Sequence, residues 1–441
     1  MKRRETARPQ QPASTSTLVQ IEKPIYGGAS LARVDGKAVF VPLTLPGEQV
    51  HVRIVEEKRS YATAEVDQIV SAAPQRVAPK CRHFGVCGGC HYQHAEYATQ
   101  LDWKKAVLRE TLERGGVRVP DEIDVVAAEP WEYRNRIRLA FDLQGNVGYR
   151  GRRSHDVIPI AECPIAAPLL VRAALAAHEA ARKSDLSKWL REISFFCNAE
   201  ETELMATVVM NRGAKVGIEA FADGLARDIP QLKGTEFLAE RSDREPPSRV
   251  GMRGGASLTY RAAGIDYQVD HGAFFQVNRW LVDGLVDRVV GAQRGKLAWD
   301  LFAGVGLFAR RLAERFESVT AVESAPAAVA SLMQNLGGTN ARAVKATTLE
   351  FLRGERKGTR PHMITPDLVV VDPPRAGLGS ETATLLAEIG APALTYVSCD
   401  PATLARDLRA LGSAGYAIQD IALADLFPQT FHLETVVRLR R

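Results

Sequence analysis

The sequence predicts a multidomain α/β protein whose last part, residues 268–441, is a doubly wound, mostly parallel sheet flanked by helices. Three observations predict it. Apolar strand-like runs alternate with helical runs from about Gln268 to the end. A glycine turn, "DLFAGVGLF", follows the first of those strands. The chain before Gln268 reads differently, as short alternating strands over 17–71 and then an α+β stretch over 72–267 that opens on a cluster of cysteines.

Composition sets the limits. The 441 residues are 46% hydrophobic and 25% charged, ordinary values for a globular protein with a sizeable core. No apolar run reaches the ~18 residues that a membrane span needs. The start, "MKRRETARPQQPASTST", is basic with no apolar segment behind it, so it is not a secretory leader. Residues 1–16 read as a disordered basic tail, and a cytoplasmic monomer is expected. A net charge of +5 permits a polyanionic partner without demanding one. Six cysteines stand unevenly at 81, 87, 90, 163, 197 and 399. With no export signal, metal binding or catalysis explains them better than disulfides.

The elements follow in order. From Thr17 to Val70, apolar and polar residues alternate between turn signals at Gly27–Gly28, Asp35–Gly36 and Pro46–Gly47. Asp-Gly is a hairpin turn, and regular short strands suggest a small oligonucleotide-binding-like barrel. "SAAPQRVAPK" reads as a linker. "YATQLDWKKAVLRETLERGG" is a helix stopped by its two glycines. "YRNRIRLAFDL", "NVGYRG", "EISFFCNAE" and "ELMATVVMN" read as strands, with Cys197 in the core of the third. In the first, Arg134, Arg136 and Arg138 share a face by the period of two, an arrangement suited to phosphates. Beyond Gln268, "KLAWDLFAG", "SVTAVES", "DLVVVDPP" and "ALTYVSCDP" are strands separated by helices.

The carboxyl ends of these strands hold the unusual residues, and that is where such sheets bind ligands. Gly304 and Gly306 let the backbone approach a ligand closely. Glu323 ends the next strand, where a carboxylate can accept both ribose hydroxyls of a nucleoside. The third glycine of the dinucleotide fingerprint is replaced by Ala309, and Asp300 precedes the turn. Both details favour S-adenosylmethionine over NAD. Asp372 ends another strand in "VVVDPPRAG". Arg375 stands where enzymes that methylate exocyclic amines carry an aromatic, which argues for another acceptor atom.

"YVSCDPATLARDL" ends a strand on Cys399, with Asp400 as N-cap and Pro401 as first helical residue. A helix dipole there favours thiolate. A thiolate beside a methyl donor has a use. Uracil C5 is too weak a nucleophile to take a methyl group, but thiolate addition at C6 places electron density on C5. A base must then remove the C5 proton so that the thiol can leave. "LFPQTFHLETVVRL" offers Glu434, with His432 two positions earlier.

"DLFAGVGLF", "VVVDPPRAG", "YVSCDPATLARDL" and "FPQTFHLETVV", in that order, resemble the RNA uracil-C5-methyltransferase family, as does "HGAFFQVNRW" before them. The resemblance spans roughly 17–441. It implies a Rossmann-like methyltransferase domain, Cys399 as nucleophile, Glu434 as base, and a pocket of Gln276, Phe302, Glu323 and Asp372 for S-adenosylmethionine and uracil. Leu307 departs from it, since many members carry a polar residue there. The N-terminal barrel looks like a TRAM domain.

"CRHFGVCGGC" supplies Cys81, Cys87 and Cys90, and "AECPI" supplies Cys163. Four thiolates suit zinc or an iron–sulfur cluster, and spacing does not decide between them. The resemblance implies a [4Fe–4S] cluster. Barrel plus cluster resembles the 23S rRNA branch more than the tRNA branch. A flipped-out uridine in structured RNA is the implied substrate. Cytosine-C5 methylation fits less well because Ser398, not proline, precedes the cysteine. A non-catalytic RNA-binding protein on the same fold leaves the Cys399/Glu434 pair without a purpose.

Overall fold

The computed structural model describes residues 16–213, 217–241, 245–356 and 365–441. The expected tail, 1–16, lies outside the described residues except for Ser16. Strands Thr17–Gln20, Lys23–Pro24, Ala29–Val34, Lys37–Pro42, Gln49–Glu57 and Tyr61–Ser71 form the N-terminal sheet. It curls until the first strand packs back on Ala29–Val34, around a core of Val19, Ile21, Val39, Val41, Val50 and Val52. The Asp-Gly hairpin is present, with both residues at positive φ (Asp35 49°, Gly36 79°), as a primed turn requires.

The central sheet has seven strands, from Val157–Pro159 at one edge to Ser248–Gly254 at the other. All pairs are antiparallel except Leu204–Met210 beside Leu232–Ala239. Helices Pro168–Arg182 and Ile218–Asp228 share its core, in which Cys197 is fully buried as expected.

The C-terminal sheet carries the candidate site. Its eight strands are β1 (Asp124–Val126), β2 (Gly295–Leu301), β3 (Phe316–Glu323), β4 (Ala341–Lys345), β5 (Leu368–Val371), β6 (Ala393–Ser398), β7 (Ala417–Ala424) and β8 (Thr435–Arg440). The order across the sheet is β4-β3-β2-β5-β6-β8-β7-β1. The ladder from β4 to β6 is parallel, and β8 runs antiparallel between β6 and β7. Strands buried on both faces explain why β5 and β6 read as unbroken apolar runs.

One segment sits elsewhere than the sequence grouped it. The expected unit 72–267 is crossed by 97–126. Helix α1 (Tyr97–Arg114) packs on α2 (Pro401–Ser413), and β1 pairs with β7, so this stretch builds onto the C-terminal sheet. The reason is burial: Val107, Leu108 and Leu112 complete the core formed with Tyr396, Leu404 and Leu408.

Candidate active site

Strand register brings the sequence-predicted residues to one edge. Leu301 pairs with both Val322 and Val371, and Val371 pairs with Tyr396. The residues just past these strands are therefore Phe302, Asp372 and, two beyond Ser398's neighbour Val397, Cys399. Ser398 pairs with Thr435 across the antiparallel ladder. The next position outward on each strand is Cys399 on one and Glu434 on the other. Three parallel strands and one antiparallel strand thus bring their ends to the same place.

The glycine turn is shaped by short-range contacts. Phe302 is held at φ 66°, a strained position for a non-glycine residue, and Gly304 and Gly306 follow at 56° and 92°. A Cβ on Gly306 would lie 2.8 Å from Leu332, whereas one on Gly304 would meet open space. Glu323 accepts the backbone N–H of Gly304 at 2.9 Å, of Ser324 at 2.6 Å and of Ala325 at 2.7 Å. A carboxylate has about four acceptor positions, so capacity for a ribose hydroxyl remains. Asp300 is fully buried; burial, opposed by the Ala309 N–H, pushes its carboxyl up to about 8. A buried acid, an open glycine and a carboxylate with an acceptor position left, around one turn, fit a nucleoside-bearing methyl donor. Leu307 is buried in the core, and only its carbonyl is engaged, by the hydroxyl of Tyr267 at 3.1 Å. Gln276 is also buried, and its carbonyl accepts from Asn135 at 2.8 Å.

The thiol is not a resting thiolate. Asp400 caps α2 by accepting from Ala402 and Thr403, so the exposed N–H groups of that helix end are already used. Burial, then the nearby carboxylates of Glu434 and Asp372, push Cys399 up to about 11, opposed by the guanidinium of Arg375. The expected helix-dipole stabilisation is outweighed. Glu434 is buried, and desolvation with the neighbouring Asp372 holds its carboxyl well above the usual range. Asp372 is raised too, by burial. Buried and close in space, the two carboxyls each oppose the other's ionisation.

Around this centre, rings from three segments meet. Phe431 packs on Tyr26 of the barrel, on His91 and on His432. The Tyr26 hydroxyl donates to Asp400 at 3.3 Å. His432, like Glu434, lies ahead of β8, and its ring is 3.4 Å from the Arg375 guanidinium. Burial holds its imidazole down at about 4.

Comparison with known proteins bears on this arrangement. Residues 255–441 match the model of the tRNA (Uracil-5-)-methyltransferase family, and 16–66 match the TRAM domain. A 23S rRNA (uracil(1939)-C(5))-methyltransferase, RlmD, of Halomonas elongata is 32% identical over 94% of this chain and 87% of its own. The chain belongs to the RNA uracil-C5-methyltransferase family. The RlmD of Chromohalobacter salexigens is 34% identical over 97% of this chain and 90% of its own. The solved Pyrococcus abyssi tRNA (uracil-54, C5)-methyltransferase, in complex with S-adenosyl-L-homocysteine, is 25% identical. It superposes with a TM-score of 0.76 over 96% of this chain and all of its own. This uracil-C5-methyltransferase is thereby placed among S-adenosylmethionine-dependent enzymes that act on RNA.

The four cysteines of this uracil-C5-methyltransferase line one cavity of about 240 Å³, with Gln93, Arg134 and Tyr149. None of the four is disulfide-bonded. Gly89 donates its N–H to the Cys87 sulfur at 3.4 Å, and the Tyr149 hydroxyl lies 3.7 Å from that of Cys163. Among the described residues no three His, Cys, Asp or Glu converge on a single ion. Four thiolates around one cavity are the donor set that would hold a metal centre. The arginine row is less regular than expected. Arg136 is turned inward over the Phe196 ring and donates to the Ala273 carbonyl, Arg138 pairs with Glu192, and Arg134 borders the cysteine cavity. The sequence reading missed Asn135, Tyr26, His91, Lys104 and Asp425. The one signal for Lys104 was a lysine on the apolar face of its helix, between Trp103 and Val107.

Proposed function

We propose that this protein transfers a methyl group from S-adenosylmethionine to C5 of a uridine in structured RNA, namely 23S rRNA, through a covalent Cys399–C6 adduct that Glu434 resolves. The observation that carries this is the ladder end where Cys399 faces Glu434 beside Asp372. Bound S-adenosylmethionine supplies an electrophilic methyl group. Gln276, Phe302, Glu323 and Asp372 hold it and the flipped base. The Cys399 sulfur, once deprotonated, bonds to C6 and so makes C5 nucleophilic. After methylation Glu434 takes the C5 proton, the C–S bond breaks, and the double bond reforms. Arg375 lowers the cost of ionising the thiol.

RNA approaches along a cleft of about 750 Å³ between the barrel, the cysteine segment and the central sheet, lined by Arg138, Arg150, Arg152 and Arg153. The RlmD names favour rRNA. The barrel does not discriminate, because the Pyrococcus tRNA enzyme matches 96% of this chain. Cys81, Cys87, Cys90 and Cys163 hold a [4Fe–4S] cluster with a structural or RNA-positioning role, and the enzyme works as a cytoplasmic monomer. No helix among the described residues is long and apolar enough to cross a membrane.

Mapping 5-methyluridine in total RNA with and without the gene tests the reading. Loss of one or two sites in 23S rRNA supports it, loss in tRNA moves the substrate, and no loss overturns it. Protein purified without oxygen should carry about four irons. Stoichiometric zinc and no iron would exclude the cluster.

A further inference from the structure

We propose that Lys104 is a positioning residue for Glu434, acting through Asp425 and the loop 425–434; this rests on the function proposed above. Lys104 and Asp425 form an ion pair at 2.6 Å, each side chain 1% exposed. The same ammonium donates to the Phe427 carbonyl at 2.9 Å. The Tyr97 hydroxyl donates to the other Asp425 oxygen at 2.8 Å.

Removing two charges from water is costly, and a well-packed apolar pair commonly holds a fold as well or better. The apolar pair could not bond to the Phe427 carbonyl. That bond is the first in a relay toward the base. The Thr430 hydroxyl donates to the same Phe427 carbonyl at 2.9 Å, and the His432 N–H donates to Thr430 Oγ1 at 3.3 Å. Glu434 is two residues on.

The residues between are held by further distant donors. Asn278 reaches the Leu426 carbonyl at 3.3 Å, and the Tyr133 hydroxyl reaches that of Pro428 at 3.0 Å. Gln429, at φ 65°, exchanges two bonds of 3.0 Å with the Gln100 side chain. A left-handed glutamine persists only where its surroundings over-determine it. The loop is thus fixed residue by residue, and Lys104 is its charged anchor.

The test compares Lys104→Met with the double variant Lys104→Met/Asp425→Leu. The single change strands a buried carboxylate and should lower the melting temperature. The double change removes both charges and should restore it. Turnover of the double variant should nonetheless fall ~100-fold, as for a reacting group displaced by about an ångström. S-adenosylmethionine affinity should stay within about twofold of wild type, since the glycine turn is untouched. A methylated RNA–protein adduct should accumulate on ordinary uridine RNA and survive denaturing electrophoresis, because resolution is the step Glu434 serves. Thr430→Val breaks the relay beyond Lys104 and should show the same adduct with turnover about tenfold slower, the worth of one hydrogen bond. A stable double variant that turns over within about threefold of wild type, or slows without adduct, overturns the proposal. Wild-type protein that fails to be trapped by 5-fluorouridine RNA would instead overturn the function on which it rests.

Discussion

The glycine turn 302–306 and the loop 425–434 serve the same site and are built in opposite ways. The turn is held from nearby in the chain: Glu323 takes the Gly304 N–H, the Val322 carbonyl takes that of Ala303, and Gly306 bonds back to Ala303. The base loop is held from far away. Its donors are Lys104, Gln100, Tyr133 and Asn278, and the N–H groups of His91 and Tyr92, which both reach the Gln429 carbonyl. The proposed cofactor side is therefore held within the C-terminal sheet, whereas the proposed base side is held by α1, the cysteine segment and the central domain. Two consequences separate them. Damage near the turn should be read out as lost cofactor affinity, and damage near the loop as a stalled covalent step.

The largest expected effect falls on the nucleophile between the two. Cys399→Ala should reduce methyl transfer by at least ~10⁴-fold, as loss of a nucleophile does. Binding of S-adenosylmethionine, followed by titration calorimetry, should hardly change. Methylation at a normal rate would return Cys399 to the status of a buried cysteine at a strand end.

Glu434→Gln sharpens the contrast on the base side. Turnover should drop ~10²- to 10⁴-fold, the range for a lost general base. One methyl per enzyme should still be transferred, and the product should remain attached to the protein on a denaturing gel. If radiolabelled methyl never reaches the RNA in this variant, Glu434 acts before methyl transfer and the assignment is wrong.

On the turn side, Glu323→Gln should weaken S-adenosylmethionine binding by ~10- to 100-fold, corresponding to a charge-assisted bond of about 1.5–3 kcal/mol. RNA affinity in a filter-binding assay should not move. A parallel loss of RNA affinity would mean that the two halves of the site are coupled more tightly than their contacts suggest.

The smallest effect concerns the resting thiol. With a value of about 11, on the order of 10⁻⁴ of Cys399 is ionised at pH 7. Its alkylation by iodoacetamide, followed by mass spectrometry of its peptide, should rise steadily from pH 7 to pH 10 without a plateau. The sign for Arg375→Gln is a further rise in the thiol's value and slower labelling at every pH, since that guanidinium stabilises the thiolate. A plateau near pH 8 would mean that the thiol is activated before RNA arrives.

Much of the architecture was legible in the chain. Alternation with period two and an Asp-Gly pair marked the barrel, and apolar runs ending in "DLFAG", "VVVDPP" and "YVSCDP" marked the strand ends. These signals are local, because a strand that is buried on both faces must be apolar and its exit must turn. Register then did what local signals cannot. The pairing of Ser398 with Thr435 is an antiparallel contact across the sheet, and it alone sets Cys399 against Glu434. The same applies to charge. A cysteine before an N-cap reads as an activated thiolate, yet burial, and then the carboxyls of Glu434 and Asp372, reverse the sign.

By itself, then, the sequence determined which residues stand at strand ends, where the glycine turn falls, and which four cysteines are spare. The tertiary structure decided what surrounds them. It moved 97–126 onto the C-terminal sheet, drew Tyr26 of the barrel to Asp400, and buried Lys104 against Asp425. The physical reason is range. Turn residues and apolar runs are written along the chain itself, but desolvation and the pairing of buried charges depend on which distant surface comes to cover them.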